Sequence, residues 1–450
     1  MLVVNSHPLA PSFATPTARR VRALLSVAET SSHYVLLCPV CGWRGPDDGL
    51  RLECPQPHAP GLLQVVYATN AFPRPRGDDG LFRYRDWLPV RRTLTGAVRP
   101  EVYHGAALGR RLGLPNLWIA FNGYWPERGC AMTTSTFKEL EAYTALGRLP
   151  HDAPTLVVSS AGNTAAAFAA LASRYEMPCV IVVPAAATDR LMFQRPLAPC
   201  VRLVMLEHGD YTDAIAFGQS LATALDGQVE GGAKNVARRA GLATVLLAAA
   251  EAMPVLPDYY VQAVGSGAGA IAVHEAARRL VAAGTADRVP KLLLCQNESF
   301  APLHDAWRRE RDGREWPRPT GTAVFADELV NRLPPYGVLG GVRDCLLESD
   351  GDMLVADRPA ALAARRLFQD VEGIDIEPAA AVALACLCEA AATGMVDRDA
   401  TLLLNVTGGG RRRLAETTPL RPPDQVFSVS QNDLRDGTFP RELLRARALS

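Results

Sequence analysis

The sequence predicts an α/β fold with open, doubly wound sheets that helices cover on both faces. From about Trp87 onward, short runs of β-branched residues alternate with Ala-rich helical stretches, which is typical of parallel sheets. Three of the predicted strands end in small-residue loops, at 159–164, 265–270 and 405–410. Ligands bind such sheets beyond the carboxyl ends of their strands. The sequence shows no solenoid period and no heptad repeat that would favour another fold class.

Each element follows from its local pattern. Strands are predicted where a short apolar run is bounded by turn residues, at 34–38, 63–67, 116–121, 155–159, 179–183, 201–206, 259–264, 291–296 and 401–406. Helices are predicted where apolar residues recur at helical spacing or Ala predominates, at 137–146, 163–175, 213–225, 270–283, 359–370 and 378–392. The two kinds of segment alternate, so the helices are expected on the faces of the sheets.

The composition excludes two classes of protein. The 450 residues include 47 basic and 47 acidic side chains, and the formal net charge is zero. A dedicated nucleic-acid binder usually carries a strongly basic face. A membrane span needs ~20 consecutive apolar residues, and the sequence has no such run. We therefore expect small-molecule partners, and neither nucleic acid nor a membrane.

The N-terminal region predicts the compartment. Residues 1–33 mix Pro, Ser, Ala and Arg without the apolar core of a secretory signal. They are predicted to form a flexible N-terminal extension on a cytoplasmic protein. Because thiols stay reduced in that compartment, the ten cysteines are not expected to build a disulfide framework.

A short cysteine motif follows this extension. Cys38 and Cys41 have the spacing of a metal-binding knuckle, and Cys54 and His58 offer two further ligands. Three cysteines and one histidine can hold a tetrahedral zinc ion, whose role would be structural. The alternative is a zinc-ribbon remnant that has lost its metal.

Lysine is rare in this chain. Only Lys138, Lys234 and Lys291 occur among the 47 basic residues, and arginine cannot replace lysine in amine chemistry because its guanidinium stays protonated. Lys291 is the first residue of an apolar strand, and we predict that its side chain is exposed to solvent at the strand edge. Lys234 lies in a cationic turn at 231–239 that precedes a predicted helix and suits an anionic group. Lys138 follows a hydroxyl-rich turn at a helix start, and we predict that it forms an imine.

The three small-residue loops complete this chemistry. At 159–164 a helix start can bind an anion, although an ordinary N-cap is the alternative. The glycine loop at 265–270 can cradle a phosphate, and a dinucleotide fingerprint fits less well because the next strand ends in two amides rather than an acid. At 405–410 a hydroxyl beside three glycines can contact a flat ring. The alternative is that these glycines only form a flexible connection after the last predicted strand. With Lys138, these parts predict a pyridoxal phosphate site.

The chain resembles the cysteate synthases, a threonine-synthase-like family of fold-type-II pyridoxal phosphate enzymes, from about Tyr34 to Arg413. The motifs that carry the resemblance are Cys38 with Cys41, 86–90, 122–127, 136–142, 160–164, 210–214, 231–239, the loop that begins at Gly265, 334–336 and 372–375. The chain departs from the family pattern at Ala270, where a glycine usually closes the loop.

The resemblance implies a tryptophan-synthase-β-like fold with two open parallel or mixed sheets and a small zinc-ribbon-like segment. The implied domains are the N-terminal extension at 1–33, the zinc-ribbon-like segment at 34–68, a large cofactor-binding domain at 69–134 and 231–450, and a small α/β domain at 135–230.

The resemblance also implies roles for the cofactor residues. Lys138 would form the imine with the cofactor, and Asn163 would bond its ring hydroxyl. Thr407 would meet the pyridine nitrogen. The phosphate would lie in the loop formed by Gly265, Ser266, Gly267, Ala268 and Gly269.

A second set of residues is implied for the substrate. Thr136, Ser160 and Thr164 would hold its carboxylate. Asn235 and Arg238, with Lys234 and Arg239 as helpers, would bind its phosphate.

The implied reaction is a β-replacement that converts O-phospho-L-serine and sulfite into L-cysteate and phosphate through an aminoacrylate intermediate, in a homo-oligomeric enzyme. The alternatives are a threonine synthase and a phosphoserine β-replacement enzyme with another nucleophile, such as sulfide. From other classes, a zinc-ribbon binding module would make Lys138 incidental, and a nicotinamide dehydrogenase would need an acidic ribose-binding residue after the glycine loop.

Overall fold

Two largely parallel sheets organise the chain, as the alternation of strands and helices predicts. The computed structural model describes residues 25–26, 33–73, 77, 79–160, 162–313 and 323–433. Most of the predicted N-terminal extension and the last residues of the predicted large domain lie outside these ranges.

The described strands are β1 (Leu25–Ser26), β2 (Tyr34–Leu37), β3 (Arg44–Gly45), β4 (Gln64–Tyr67), β5 (Thr93–Leu94), β6 (Glu101–His104), β7 (Leu117–Phe121), β8 (Tyr124–Trp125), β9 (Cys130–Ala131), β10 (Leu156–Ser159), β11 (Cys179–Pro184), β12 (Val201–Leu206), β13 (Gln228–Val229), β14 (Tyr259–Ala263), β15 (Lys291–Asn297), β16 (Asp352–Ala356), β17 (Leu402–Val406) and β18 (Phe427–Val429). The described α-helices are α1 (Ala106–Leu112), α2 (Lys138–Arg148), α3 (Asn163–Arg174), α4 (Tyr211–Ala224), α5 (Val236–Ala252), α6 (Ala268–Ala282), α7 (Pro302–Asp312), α8 (Val342–Glu348), α9 (Arg358–Glu372), α10 (Pro378–Ala392) and α11 (Arg411–Thr417).

The larger sheet has the strand order β16-β15-β14-β17-β7-β6, and the smaller has β13-β10-β11-β12-β18. All neighbouring strands run parallel except β6, which pairs antiparallel with β7 at one edge. Every residue of β11 and β17 is buried, because helices cover both faces of a parallel sheet. The predicted α/β class is therefore confirmed.

The C-terminal strand departs from the predicted domain plan. That plan assigns 231–450 to the large domain, but β18 pairs with β12 in the smaller sheet. The backbone groups along this edge of β12 thus gain hydrogen-bond partners from a distant part of the chain. The remaining domain boundaries stay a prediction.

A helix follows the cationic turn at 231–239, as the sequence predicts, but this helix, α5, already begins at Val236. Fourteen of its 17 residues are buried, so no amphipathic period marks where it begins and ends. It packs against both α2 and α6, and it carries Arg238 toward the smaller sheet. Within the described residues, no helix is long and apolar enough to cross a membrane.

The segment that precedes the large sheet is a small antiparallel unit. Its strands have the order β3-β2-β4. It is attached to α2 by Asp47, whose two carboxylate oxygens lie 2.8 and 2.7 Å from Nε and Nη2 of Arg148. Both residues are buried. Burial alone would raise the pKa of Asp47, but Arg148 lowers it below its ordinary value, so the pair is ionised.

Replacing Asp47 by Ala is expected to lower the free energy of unfolding by about 3 kcal/mol or more, because the buried Arg148 guanidinium would lose its countercharge. Urea unfolding at neutral pH measures this loss. The matched control is the same change at the exposed Asp152, expected to cost less than about 0.5 kcal/mol. Equal losses in the two variants would show that the buried pair adds nothing.

Candidate active site

One cavity collects the ends of the strands that the sequence singles out. Its wall includes the start of α2, the loops after β10 and β14, and the residue after β17. The predicted residues that line it are Lys138, Ser160, Asn163, Thr164, Arg238, Gly265, Ser266, Gly267, Ala268, Gly269 and Thr407. The carboxyl ends of parallel strands thus define the site, as open α/β sheets generally do.

Lys138 is the first residue of α2. Its Nζ lies 3.3 Å from Oε2 of Glu141, one turn further along the helix, and its side chain is 22% exposed. Burial lowers the pKa of Lys138 below its ordinary value, although the Glu141 carboxylate opposes this shift. A lower pKa increases the fraction of neutral amine, the form that attacks a carbonyl carbon.

Glu141 is the centre of a buried hydrogen-bond network that the sequence analysis missed. Its Oε1 accepts from the Thr164 hydroxyl at 2.7 Å and from Arg238 Nη2 at 2.9 Å. Its Oε2 faces Lys138. One carboxylate therefore connects the helix of the lysine to α3 and α5. Its position three residues after Lys138 was the available sequence signal, because residues at that spacing share a helix face.

Arg238 is the cation of this network. Its Nη1 lies 2.5 Å from Oε2 of Glu230, and its Nη2 lies 3.2 Å from the Thr164 hydroxyl oxygen. Burial alone would lower the pKa of Arg238, but the carboxylates of Glu141 and Glu230 raise it. The guanidinium therefore stays charged at the cavity wall.

The glycine loop after β14 can accept an anion. Gly267 has a φ of +77°, and a Cβ there would lie 2.2 Å from Val342 Cγ2. A Cβ on Gly269 would lie 2.4 Å from Gln262 Nε2. The loop leads into α6, whose first N–H groups have no partner within the helix. Packing against Val342 and Gln262 therefore keeps both positions free of side chains, and the N–H groups at the helix start fit a phosphate group.

Thr407, the residue after β17, also lines the cavity. It is buried, and its carbonyl oxygen accepts from the backbone N–H of Phe137 at 2.9 Å. This bond fixes the residue after β17 beside the start of the lysine helix. Two carboxylic acids that the sequence analysis missed, Glu328 and Glu377, also line the cavity. Burial, reinforced by Glu328, raises the pKa of Glu377 to about 7.

Four predicted substrate residues do not line the cavity. Thr136 is buried, and its Oγ1 has no hydrogen-bond partner among the described residues. Asn235 caps α5 by accepting from the backbone of Ala237 and Arg238. Lys234 pairs with exposed Glu53. Arg239 is fully buried and its Nη2 lies 3.1 Å from Oε1 of Glu275. Their roles toward a substrate stay predictions.

The carboxyl group of Glu139 makes stability depend on pH. It is fully buried, accepts from Thr133 Oγ1 at 3.2 Å and from the N–H of Thr134, and burial raises its pKa to about 7. The unfolded chain releases this proton at about pH 4.5. Between these values only the folded state holds the proton, so the free energy of unfolding falls as pH rises.

The Glu139→Gln variant is expected to lack this loss. Its free energy of unfolding, relative to the parent protein, should rise by up to about 3 kcal/mol between pH 5 and pH 8. Urea unfolding of both proteins at the two pH values measures the difference. Glu416→Gln, at an exposed position, is the control and should follow the parent. A constant difference for Glu139→Gln would contradict the assignment.

The four predicted metal ligands lie together in the N-terminal segment. The three cysteine Sγ atoms and one ring nitrogen of His58 lie within 4.8 Å of one another. Cys38 Sγ is 3.2 Å from His58 Nε2, and Cys41 Sγ is 3.6 Å from Cys54 Sγ. The donor set has the number and chemistry of a structural zinc site.

Comparison with known proteins identifies the class of enzyme to which the chain belongs. The family model for the pyridoxal-phosphate dependent enzymes matches residues 121–408, a range that contains every predicted cofactor residue. The chain belongs to this class of enzymes, which confirms the predicted cofactor.

Solved structures of similar proteins have the same fold. Maize serine racemase has a TM-score of 0.55 at 17% identity over 71% of this chain and 91% of that chain. Threonine deaminase isoform 2 of Solanum lycopersicum has 0.52 at 16% identity over 70% and 87%. The predicted fold type II is thus confirmed.

Within this class the chain belongs to the cysteate synthase family. It is 46% identical to the cysteate synthase of Methanoculleus marisnigri over 405 residues, which covers 88% of this chain and 93% of that protein. It is 43% identical to the Methanospirillum hungatei protein over 404 residues, with coverage of 88% and 94%. It is 40% identical to the Methanosarcina barkeri protein over 416 residues, with coverage of 89% and 98%.

Proposed function

We propose that this enzyme uses pyridoxal phosphate to convert O-phospho-L-serine and sulfite into L-cysteate and phosphate. The observation that carries the proposal is the identity of 40–46% with curated cysteate synthases over nearly nine-tenths of the chain. The cavity supports it, since it joins an amine, an anion-binding glycine loop and a charged guanidinium. The same relatives disfavour a threonine synthase and a sulfide-dependent enzyme.

The residues of the cavity fit the cofactor. The loop from Gly265 to Gly269 lines the cavity and leads into the start of α6, where backbone N–H groups without a partner in the helix can hold a phosphate group. Lys138 would hold the cofactor covalently, Asn163 would face its ring hydroxyl, and Thr407 would face its pyridine nitrogen. When bound, pyridoxal phosphate supplies an electron sink that acidifies the substrate α-carbon.

The chain itself moves the proton. The neutral amine of Lys138 would take the proton from the substrate α-carbon. The bond between Cβ and the phosphate oxygen then breaks, and its electron pair leaves with the phosphate. Sulfite forms the new C–S bond at Cβ with its own electron pair, and Lys138 returns the proton to the α-carbon. The net change exchanges phosphate for sulfite.

Anionic groups are held by amides and by one cation. Ser160, Thr164 and the start of α3 face the cavity where a carboxylate would lie. Arg238 is the guanidinium at the cavity wall, and it would attract first the phosphate of the substrate and then sulfite. Because both are oxyanions, one position serves both partners of the exchange.

Phosphate release tests this proposal. The enzyme loaded with pyridoxal phosphate should release phosphate from O-phospho-L-serine and form an equal amount of L-cysteate only when sulfite is present. Sulfide in place of sulfite, and O-phosphohomoserine in place of phosphoserine, should each give a far lower kcat/KM. Preferential formation of threonine, or of cysteine from sulfide, would overturn the assignment in favour of the corresponding alternative.

The oligomeric state and the cellular location of the enzyme can also be tested. We expect a homo-oligomer, which light scattering of the purified protein tests directly. We also propose that the enzyme is cytoplasmic, which fractionation of the cells that produce it tests. A monomer at micromolar concentration would contradict the first expectation, and recovery in a secreted fraction would contradict the second.

A further inference from the structure

We propose that the N-terminal segment, residues 34–68, binds one zinc ion through Cys38, Cys41, Cys54 and His58, and that this zinc-bound segment holds the catalytic-lysine helix α2 in place. The inference is independent of the substrate, because it rests on residues outside the cavity.

The geometry of the four ligands fits a tetrahedral ion. With Zn–S bonds of about 2.3 Å and a Zn–N bond of about 2.0 Å, neighbouring ligand atoms in a tetrahedron lie about 3.5–3.8 Å apart. The distances of 3.2 Å from Cys38 Sγ to His58 Nε2 and of 3.6 Å from Cys41 Sγ to Cys54 Sγ are close to this spacing. All three thiols are free in the structure.

The surroundings of His58 are those of a metal ligand. Its Nδ1 lies 2.6 Å from the carbonyl oxygen of Ala59. If Nδ1 carries the proton and donates it to that carbonyl, Nε2 presents its lone pair to the three sulfur atoms. A second hydrogen bond of this kind commonly orients histidine ligands in zinc sites. Sulfur with imidazole is also a donor set that favours zinc over magnesium or calcium.

The backbone around the first two cysteines forms a tight knuckle. The N–H of Gly42 donates to the carbonyl oxygen of Cys38 at 2.9 Å, and the N–H of Cys38 donates to that of Trp43 at 2.8 Å. Gly42 has a φ of +73°, which a glycine adopts without strain. The turn directs both sulfur atoms to one point, while Cys41 stays exposed, so an ion can enter from solvent.

The N-terminal segment is too small to be stable without additional support such as a bound metal ion. Its three strands contain only four, two and four residues, and a sheet of this size is marginal without other support. A structural zinc ion supplies folding free energy directly in small units of this kind. The order of residues 38–58 is therefore expected to depend on the metal.

The metal-bound loop is connected to the active site through Asp47. Asp47 lies between the second and third cysteine in sequence, and its carboxylate binds Arg148 at the end of α2. Arg148 also donates to the carbonyl oxygen of Arg51 at 2.7 Å and to Oδ1 of Asn235 at 3.2 Å. Asn235 caps α5, the helix that carries Arg238. One guanidinium thus joins the zinc segment to α2 and α5, two of the three helices of the cavity network.

Metal analysis of the full-length holoenzyme tests the site. We expect elemental mass spectrometry to find about one zinc per chain. The Cys41→Ser and Cys54→Ser variants should lose this zinc. The control Cys200→Ser should retain it, because it changes a partly exposed thiol outside the cluster. Removing zinc from the parent protein with a chelator should lower its Tm. A protein without zinc, iron in its place, or a disulfide between Cys41 and Cys54 would each overturn the proposal.

A second variant tests the link to α2. Asp47→Asn should retain its zinc but bind pyridoxal phosphate at least about tenfold more weakly in a spectroscopic titration, a coupling of ordinary size between two sites. The zinc-depleted parent protein should show the same weakening, and Cys200→Ser should bind the cofactor normally. An unchanged cofactor affinity in Asp47→Asn, or loss of its zinc, would contradict the connection through Arg148.

Discussion

Replacing Lys138 by Ala is expected to abolish the visible absorbance of the covalently bound cofactor and to reduce kcat by about 10³-fold or more. The reason is that the variant loses both the amine that holds the cofactor and the base that moves the α-proton, and a positioned base alone contributes about 10²–10⁴-fold. Lys138→Arg should fail equally, since a guanidinium keeps the charge but forms no imine. Absorbance spectra and phosphate release measure the two effects.

A second lysine, Lys291, provides the control for this prediction. Lys291 is exposed and pairs with Asp350 at the surface, so Lys291→Ala should keep both the absorbance and the activity. Normal absorbance in Lys138→Ala would contradict the assignment of the cofactor lysine.

Glu141→Gln is expected to lower kcat/KM by about 100-fold. The carboxylate is buried and contacts Lys138, Thr164 and Arg238 at 3.3, 2.7 and 2.9 Å, and removing one partner of a buried charge network costs about 3 kcal/mol. The amide would leave Arg238 with Glu230 as its remaining anionic partner in this network.

A pH profile distinguishes this role from a purely structural one. Glu141 raises the pKa of Lys138 against the lowering by burial, so the variant should bind free cofactor with a midpoint at lower pH than the parent protein. Glu275→Gln is the matched control because Glu275 pairs with buried Arg239, the neighbour of Arg238, outside the cavity wall. It should change kcat/KM by less than about threefold. An equal loss in the two variants would show that Glu141 only stabilises the fold.

The sequence predicted those parts of the site that depend on local pattern. Each strand that ends in small residues was visible as a short apolar run, and parallel strands bring their carboxyl ends to one edge. The lysine was identifiable because imine chemistry excludes the 44 arginines that make up the other basic residues. The glycine loop was identifiable because its backbone must approach a ligand without side chains.

The network around Arg238 could not be predicted in the same way. Glu141 and Arg238 lie 97 positions apart, and only the packing of α2 against α5 brings them together. The motif at 231–239 suggested four anion-binding residues, but successive residues of a helix point about 100° apart. Arg238 therefore faces the cavity, while Arg239 turns to Glu275. The bounds of this helix gave no amphipathic signal because most of its residues, the two arginines included, are buried.

The most direct test of the central claim, that Lys138 holds pyridoxal phosphate in this cavity, is reduction of the loaded enzyme with borohydride followed by peptide mass mapping. Reduction makes the link between lysine and cofactor permanent, and the chain has only three lysines at which it can form. We predict that the pyridoxyl mass is found on the peptide that contains Lys138. Its presence on the peptide of Lys234 or Lys291 would contradict the account.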